Sequence, residues 1–287
     1  MRLTSFYEKG IECLGVVTEN GILDVRQAAG QASGVPLTMA QAIEMGAEGL
    51  RRLEALPLET AHLRQASELE WAPVIQPGKM LCVGFNYHKH VSESSAELPK
   101  FPILFSKFSN ALAAHNQPVS LPEAVSGQYD YEAELVIVIG REGRFIPKEK
   151  AMDYVFGFTV GNDISARDLQ FRSGQWLIGK SLDGFGPIGP YLTTTDSLDW
   201  ANLEVTCRVN GEQRQKGNTR EMIFDCCEII RYASQFMTLC PGDIIFTGTP
   251  EGVVMGMPKE RQLWLKPGDV VEAEIQGIGT LRTPFIK

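Results

Sequence analysis

Long hydrophobic runs are absent from this sequence of 287 residues. A membrane-spanning helix needs about 20 consecutive apolar residues, and no stretch of the chain approaches that length. The first residues, Met-Arg-Leu-Thr-Ser-Phe-Tyr-Glu, also lack the basic and apolar pattern of a secretory signal peptide. These absences predict a protein without a membrane partner.

Cysteine motifs for metal binding or redox chemistry are missing as well. The six cysteines are scattered, no two of them have Cys-x-x-Cys spacing, and there are only four histidines. Zinc sites are usually built from clusters of these residues, so nothing in the sequence favours zinc. Single cysteines spread through a long chain are typical of reduced thiols, which predicts a cytoplasmic protein.

Positive charge is the third scarce feature. The chain has 27 Lys and Arg against 35 Asp and Glu, which gives a formal net charge of -8 at pH 7. Nucleic-acid-binding surfaces are normally basic, so we predict no nucleic-acid partner. A hydrophobic fraction of 44% is ordinary for a globular protein, and the chain is long enough to bury a large core.

The first seventy residues have a character of their own. Asn20-Gly21 predicts a hairpin turn, because both residue types accept a positive φ. A helix is predicted over residues 36–56, with Thr38 as its N-terminal cap, and a second, charged helical stretch is expected before Trp71. Residues 72–79, with two prolines and a glycine, are interpreted as a linker.

Short strands dominate the rest of the chain, with one predicted helix from Met222 to Met237. The predicted strands include Met80–Gly84, Ile103–Ser106, Leu135–Ile139, Val155–Val160, Leu203–Val209, Asp243–Thr247 and Asp269–Ile275. Many strands with few helices, and no strict alternation, indicate an α+β fold with a largely antiparallel, rolled sheet. We predict a small N-terminal domain over residues 1–72 and a larger domain over residues 73–287.

Glu132 and Glu134 are the most informative residues in the chain. They lead into Leu135-Val-Ile-Val-Ile139, whose β-branched character predicts a buried strand. Side chains alternate between the two faces of a strand, so the two carboxylates share a face. Neighbouring carboxylates that lead into an apolar face repel each other and are costly to desolvate unless a cation neutralises them. A solvated strand end is the alternative.

Asp163 follows a second predicted strand, in Val160-Gly-Asn-Asp163. Taken alone, an aspartate at this place is more often a turn residue. Together with Glu132 and Glu134 it would complete a set of three carboxylates. Such hard oxygen ligands, with room left for water, suit Mg²⁺ or Mn²⁺.

His90 and Glu93 form a second candidate constellation. If the segment is helical, residues three positions apart share a face, and the carboxylate can orient the imidazole. An imidazole supported in this way can accept a proton from water near neutral pH, which is general-base chemistry. A solvated surface contact is the alternative for an isolated pair of this kind.

Lys180 lies in Gly174-Gln-Trp-Leu-Ile-Gly-Lys-Ser181, which matches the phosphate-loop pattern letter by letter. That loop needs small residues that curl around phosphate and a helix that begins at the lysine. Here bulky residues fill the loop, and the glycines and prolines of Leu182–Pro190 oppose a helix. We therefore reject nucleotide binding and interpret Lys180 as a cation that a strand delivers toward an anionic ligand.

Several sequence blocks resemble the fumarylacetoacetate hydrolase (FAH) superfamily. They are Gly84-Phe-Asn-Tyr-His-Lys-His90, Asp130-Tyr-Glu-Ala-Glu134, Gly161-Asn-Asp-Ile-Ser-Ala-Arg-Asp-Leu-Gln170, Gly179-Lys-Ser181, Phe185-Gly-Pro-Ile-Gly-Pro190 and Thr247-Gly-Thr-Pro-Glu-Gly252. They occur in the family's order over roughly residues 75–284. The resemblance implies an FAH-type rolled β-sandwich catalytic domain behind a small N-terminal α/β domain, usually a homodimer. It is closer to the bacterial branch that acts on short substrates.

The resemblance also implies a metal site and a base. Glu132, Glu134 and Asp163 look like the ligands of Mg²⁺ (or Mn²⁺). His90 with Glu93 looks like a pair that activates water, carried on a lid that becomes ordered when ligand binds.

Substrate contacts are implied at four further residues. Arg167, Gln170, Lys180 and Thr249 fall where the family contacts the carboxylate and oxo groups of its substrate. Phe85 departs from the family's more usual arginine in Gly-x-Asn-Tyr, so a substrate contact is not carried over to that residue.

Together these parts predict an enzyme that hydrolyses a carbon–carbon bond in an acylpyruvate or a related 2,4-dioxo acid. His90 would deprotonate a water that attacks the distal carbonyl, and the metal and Lys180 would stabilise the pyruvate enolate that leaves. The same enolate chemistry serves oxaloacetate, so an oxaloacetate decarboxylase or keto–enol tautomerase is the alternative. A third hypothesis is a non-catalytic module that binds a metal or a metabolite. Such a module would not need a base, so it does not explain the His90–Glu93 pair.

Overall fold

The computed structural model describes residues 1–287 of the chain. The strands are β1 (Arg2–Glu8), β2 (Ile11–Thr18), β3 (Gly21–Asp24), β4 (Leu63–Arg64), β5 (Glu70–Trp71), β6 (Met80–Gly84), β7 (Ile103–Lys107), β8 (Leu112–Ala113), β9 (Val119–Ser120), β10 (Tyr129–Asp130), β11 (Ala133–Ile139), β12 (Val155–Asn162), β13 (Ser165–Ala166), β14 (Gly186–Thr194), β15 (Glu204–Val209), β16 (Glu212–Asn218), β17 (Ile244–Phe246), β18 (Val270–Ile275) and β19 (Gly279–Ile286). The α-helices are α1 (Val25–Ala29), α2 (Met39–Glu54), α3 (His88–Glu93), α4 (Arg167–Gln170), α5 (Leu177–Lys180) and α6 (Cys226–Phe236). None of these helices has the length and apolar character that a membrane crossing requires.

The strands form two main sheets. The larger one has 12 strands in the order β4-β3-β2-β1-β14-β12-β11-β17-β6-β7, with β5 paired to β1 and β8 paired to β14. The smaller one has five strands in the order β16-β15-β18-β19-β9, and β10 pairs separately with β13. All neighbours are antiparallel except β17–β6, β14–β8 and β19–β9. The α+β prediction with a largely antiparallel sheet is therefore confirmed.

The central strand β11 is buried on both faces. Leu135 and Ile137 face one core, which also contains residues of the five-stranded sheet and of α6. Val136 and Val138 face a second core, which contains residues of α2. Because side chains alternate, Glu134 and the glutamate two positions before it continue the second face and end it with carboxylates.

The N-terminal strands extend the same large sheet. β1 pairs with β14, with Leu3 opposite Leu192, and Leu3 lies in the same core as Val136. The hairpin at Asn20-Gly21 is confirmed as the turn between β2 and β3. The division at residues 72 and 73 stays a prediction, since strand pairing and core packing both continue across it.

The helix predictions are confirmed in part, and side-chain caps set the start of two of the helices. Thr38 caps α2, because its hydroxyl accepts a hydrogen bond from the Gln41 backbone N–H. The charged stretch before Trp71 is no α-helix and has two 3₁₀ turns, at Thr60–His62 and Ala66–Glu68. The helix predicted from Met222 begins only at Cys226, since the Asp225 carboxylate caps it there.

His115 connects the N-terminal part to the larger domain. Its Nδ1 accepts a hydrogen bond of 3.1 Å from the Arg282 backbone N–H, and its ring packs edge-on against Trp71 at 4.9 Å between centroids. Burial, and then the charge of Arg282, lower the pKa of His115 to about 4. An unfolded histidine has a pKa of about 6.5, so the unfolded state takes up the proton first.

We therefore expect the free energy of unfolding to fall as pH drops from about 6.5 toward 4, because the stabilising contribution of neutral His115 is lost over that window. Urea unfolding at pH 7, 6, 5 and 4 measures this. His115→Asn keeps a hydrogen-bond acceptor but does not titrate, so its stability should fall less steeply. Equal slopes for the two proteins would show that His115 does not carry the effect.

Candidate active site

Three buried carboxylates meet where β11 and β12 lie side by side. Glu132 directly precedes β11, Glu134 lies within it opposite Gly161, and Asp163 directly follows β12. The Asp163 backbone N–H donates a hydrogen bond of 2.9 Å to the Glu132 carbonyl, which fixes the two strand ends together. Each side chain offers an oxygen within 4.8 Å of the others. The structure thus brings the three predicted metal ligands together.

Lys180 bridges two of these carboxylates. Its Nζ donates to Glu132 Oε2 at 2.7 Å and to Asp163 Oδ2 at 2.8 Å. Burial works against the charged ammonium, but the two carboxylates raise the pKa of Lys180 above its ordinary value. The prediction that a strand delivers Lys180 is wrong, because the residue ends the short helix α5. The glycine at position 179, tightly packed against Gln170, lets this helix lie against α4.

Arg167 supports the cluster from the other side. Its guanidinium donates to Asp130 through Nε at 2.9 Å, to Gln170 through Nη1 at 2.9 Å and to Glu132 through Nη2 at 2.7 Å. Burial alone would raise the pKa of Glu132, but the charges of Lys180 and Arg167 hold it well below its usual value. Glu132 is therefore ionised. The predicted substrate residues Arg167 and Gln170 are hydrogen-bonded to each other.

Lys107 is a buried cation that sequence reasoning missed. Its Nζ donates to the backbone carbonyls of Ile164, Lys180 and Phe185. It also lies 2.6 Å from Asp163 Oδ1. An ammonium has three hydrogens, and the carbonyls take all three, so Asp163 Oδ1 receives no hydrogen bond. The sequence shows only a lysine at the end of the apolar strand β7. Its contact with Asp163 depends on how β7 pairs within the sheet, which the sequence of β7 does not reveal.

Glu134 is the least compensated member of the cluster. It accepts one hydrogen bond, of 2.7 Å, from the Gly248 backbone N–H. Burial, and then the charges of Asp163 and Glu132, raise the pKa of Glu134 well above its usual value. The buried carboxylates outnumber the buried cations around it: Asp130, Glu132, Glu134 and Asp163 against Lys107, Arg167 and Lys180.

The donor set fits a divalent cation. Asp163 Oδ1 is buried with the Lys107 ammonium beside it, at 2.6 Å, and the raised pKa of Glu134 reflects a carboxylate whose charge is poorly compensated. Three carboxylates without histidine or cysteine ligands are the hard oxygen set that Mg²⁺ and Mn²⁺ prefer.

The His90–Glu93 pair lies on α3, as its spacing predicted. His90 Nδ1 lies 2.8 Å from Glu93 Oε1, and Glu93 Oε2 accepts a hydrogen bond of 2.9 Å from the Gly252 backbone N–H. Gly256 packs so closely that a Cβ there would lie 2.5 Å from the Glu93 carboxyl carbon. The carboxylate is therefore held in place, and with Nδ1–H donated to it, His90 Nε2 remains the free acceptor.

Thr249 is positioned by Gln215, a second residue that sequence reasoning missed. The Thr249 hydroxyl donates to the Ala133 carbonyl at 2.9 Å and accepts from Gln215 Nε2 at 2.8 Å. Its one hydrogen is thus already used, and a substrate contact of this hydroxyl stays a prediction. Gln215 lies in a polar stretch of β16, and nothing in that stretch distinguishes it as the buried member.

These groups line one cavity beside the carboxylate cluster. Its polar lining comprises His90, Glu132, Glu134, Arg167, Gln170, Lys180 and Thr249, while the apolar lining comprises Val83, Phe85, Phe105, Trp176 and Met255. Seven of the nine predicted site residues therefore border the same space. Glu93 and Asp163 lie just behind it, in contact with His90 and Lys180.

Comparison with known proteins identifies the class of this fold and site. The family model described as fumarylacetoacetate (FAA) hydrolase C-terminal matches residues 79–286. A rat protein named oxaloacetate tautomerase Fahd2a, mitochondrial, is 42% identical over an alignment of 290 positions, which covers 98% of this chain and 90% of the relative. The chain belongs to the fumarylacetoacetate hydrolase family, as the resemblance predicted.

Solved structures agree with this assignment. A fumarylacetoacetate hydrolase from Exiguobacterium antarcticum superposes with a TM-score of 0.85 at 34% identity, covering 100% of this chain and 99% of that one. A 5-carboxymethyl-2-hydroxymuconate delta-isomerase from Mycobacterium smegmatis gives a TM-score of 0.78 at 30% identity, with coverage of 100% and 98%. The rat relative is named as mitochondrial, so the cytoplasmic location stays a prediction.

Cation binding should release a proton from Glu134. Burial and the charges of Asp163 and Glu132 raise the pKa of Glu134 above its usual value, and a bound cation would lower it again by favouring the carboxylate. We expect the affinity for Mn²⁺ to rise with pH, and the Glu134→Gln variant to bind Mn²⁺ at least about tenfold more weakly. Calorimetry in buffers of different ionisation enthalpy measures the proton release, and Glu212→Gln, an exposed carboxylate on β16, serves as control. Binding that is independent of pH and unaffected by Glu134→Gln would contradict this assignment.

Proposed function

We propose that the chain is a metal-dependent enzyme that forms the enolate of a 2-oxo acid, and that keto–enol tautomerisation of oxaloacetate is its reaction. One observation carries this proposal: an excess of buried negative charge lies in the same cavity as Lys180 and the His90–Glu93 pair. The name of the rat relative supports the substrate, and that of the Mycobacterium smegmatis isomerase supports the reaction type.

Glu132, Glu134 and Asp163 would hold the cation, Mg²⁺ or Mn²⁺. When bound, it supplies Lewis-acid stabilisation of negative charge on an oxo or enolate oxygen. The cation also reverses the local sign of charge, because the unloaded cluster has one carboxylate more than it has cations. A site with net positive charge then attracts the carboxylate end of a 2-oxo acid.

Lys180 acts on the oxygen that develops charge. Two of its three N–H groups donate to Glu132 and Asp163, which leaves one for the 2-oxo oxygen of the substrate. The raised pKa of Lys180 keeps the ammonium charged at neutral pH. A donor fixed in advance and aimed at a developing enolate typically contributes a factor of about 10²–10³ to the rate.

His90 moves the proton. Its free Nε2 accepts a proton from C3 of the substrate, the electron pair of that C–H bond forms the C2–C3 double bond, and the imidazolium then returns the same proton to the 2-oxo oxygen. Glu93 holds the ring and stabilises the imidazolium that forms. The reverse sequence returns the enol to the keto acid, so no other reactant is consumed.

The same pair favours a second candidate, hydrolysis of the carbon–carbon bond of an acylpyruvate. In that reaction His90 Nε2 takes a proton from water, the hydroxide attacks the distal carbonyl, and pyruvate leaves as its enolate. A base fixed by both Glu93 and Gly252 suits this step equally well. Decarboxylation of oxaloacetate, in contrast, needs no base at all.

A substrate panel tests the proposal. Oxaloacetate is supplied as its enol and followed by ultraviolet absorbance, while acetylpyruvate, fumarylpyruvate and release of CO₂ are followed in parallel, with Mg²⁺ and after rigorous chelation. We expect oxaloacetate tautomerisation to be fastest and to be lost on chelation. Rapid cleavage of an acylpyruvate without tautomerase activity would make the second candidate the function, and full turnover after chelation would exclude the metal.

Substitutions at the base separate the reactions. His90→Ala should reduce tautomerisation and any hydrolysis about 10²–10⁴-fold, because both lose their base, while Mn²⁺ affinity stays within about threefold. Glu93→Gln should cost less, since an amide still orients the ring but stabilises the imidazolium poorly. His88→Ala, an exposed histidine on the same helix, is the matched control. Wild-type rates in His90→Ala would exclude His90 as the base.

We further infer a homodimer in solution and a cytoplasmic location. The dimer is implied by the family resemblance, and the location by the scattered free cysteines.

A further inference from the structure

Three aromatic side chains line the active-site cavity. They are Phe85, Phe105 and Trp176, and the Phe105 ring lies under the Lys180 ammonium, with 5.3 Å from Nζ to the ring centroid. Phe85 and Trp176 meet edge to face with 5.6 Å between ring centroids, and Phe105 and Trp176 do so with 5.3 Å. These three rings are called the aromatic wall below.

The wall is built into the backbone next to His90. Phe85 has a positive φ of 53°, a conformation that costs energy for a bulky residue and places its ring against His90, with 5.7 Å between centroids and 29° between planes. Gly84 leaves the space for Trp176, because a Cβ there would lie 2.5 Å from the indole. The sequence of this turn therefore presents two aromatic faces beside the proposed base.

The wall defines the part of a substrate that lies next to it. Lys180 and the metal ligands take the carboxylate and 2-oxo oxygens, so the group on C3 is directed to His90 and the wall. An aromatic ring at that place would stack on the wall, so the site would accept an aryl group on C3 as well as the carboxylate of oxaloacetate.

We propose a further activity: the enzyme also interconverts the keto and enol forms of 2-oxo acids that carry an aromatic ring on C3, with phenylpyruvate as the simplest member. The inference rests on the proposed tautomerase function and extends its substrate class. The benzylic C3 proton passes to His90 Nε2, the C–H electron pair becomes the C2–C3 double bond, and the imidazolium returns that proton to the 2-oxo oxygen. The product is an isomer, so no oxidant or reductant is involved.

Room for the ring exists on the far side of the wall. Phe105 and Trp176 also line a second, apolar groove at the edge strand β7, together with Leu81, Leu104, Phe108 and Met237. Trp176 follows the exposed segment 171–175 between α4 and α5 and is itself half-buried, so its indole borders both the cavity and the groove.

The test compares two substrates in each variant. We expect wild-type enzyme to tautomerise both phenylpyruvate and oxaloacetate. In Trp176→Ala, the ratio of kcat/KM for phenylpyruvate to kcat/KM for oxaloacetate should fall at least about tenfold. In Phe85→Arg the ratio should fall further, because a cation at that place favours the dicarboxylate. Loss of folding lowers both rates together and leaves the ratio unchanged. Phe145→Ala removes an exposed phenylalanine outside the cavity and should change neither rate.

A binding measurement provides a readout without turnover. The fluorine signal of 4-fluorophenylpyruvate should shift on binding through the ring currents of the wall, and the shift should shrink in Trp176→Ala. Turnover of oxaloacetate without turnover or binding of phenylpyruvate would overturn this inference and leave the proposed function intact. Turnover of neither substrate by wild-type enzyme would overturn both, and an unchanged ratio in Trp176→Ala and Phe85→Arg proteins that remain folded and active on oxaloacetate would remove the wall from recognition.

Discussion

Uncompensated negative charge in the interior is the constraint on which the rest of this site depends. Two unit charges about 5 Å apart repel by about 3 kcal/mol even at an effective dielectric constant near 20. Glu132, Glu134 and Asp163 form three such pairs within 4.8 Å, out of water. Lys180 bridges Glu132 and Asp163, and Arg167 and Lys107 add further positive charge beside them, so Glu134 is the least compensated carboxylate and its pKa rises. A bound divalent cation resolves this conflict with the ligands already in place.

The surrounding structure keeps this arrangement from relaxing. Pairing of β11 with β12 fixes the two strand ends, and Lys107 binds three backbone carbonyls beside Asp163. Asp130 holds Arg167 and also accepts the backbone N–H groups of Val254 and Met255. Asp130 thus connects the cluster of three carboxylates to the loop that positions Glu93. Rigidity of this kind is what electrostatic stabilisation of an enolate requires.

Much of the site was predictable because it depends on local periodicity. Alternation along a strand put Glu132 and Glu134 on one face, and the three-residue spacing of His90 and Glu93 on a helix put imidazole and carboxylate in contact. Both relations hold within one element, so the sequence contains them.

Features that depend on long-range pairing were not predictable. Lys107 matters because β7 pairs with β6 at the sheet edge, and that register is not visible in its own segment. Lys180 was expected on a strand, but the site needs it at the end of a short helix that packs on α4. Gln215 lies in the five-stranded sheet and donates a hydrogen bond to Thr249. No sequence motif connects two residues that lie so far apart in the chain.

The central claim is that this cluster binds one divalent cation and that the cation site holds a planar 2-oxo acid enolate. Oxalate is a stable mimic of that enolate, so a titration of Mn²⁺ by electron paramagnetic resonance, with and without oxalate, tests the claim directly. The account predicts one Mn²⁺ per chain, tighter binding with oxalate present, and loss of both effects in Asp163→Asn. Binding of Mn²⁺ that oxalate does not change, or that survives Asp163→Asn, would contradict it.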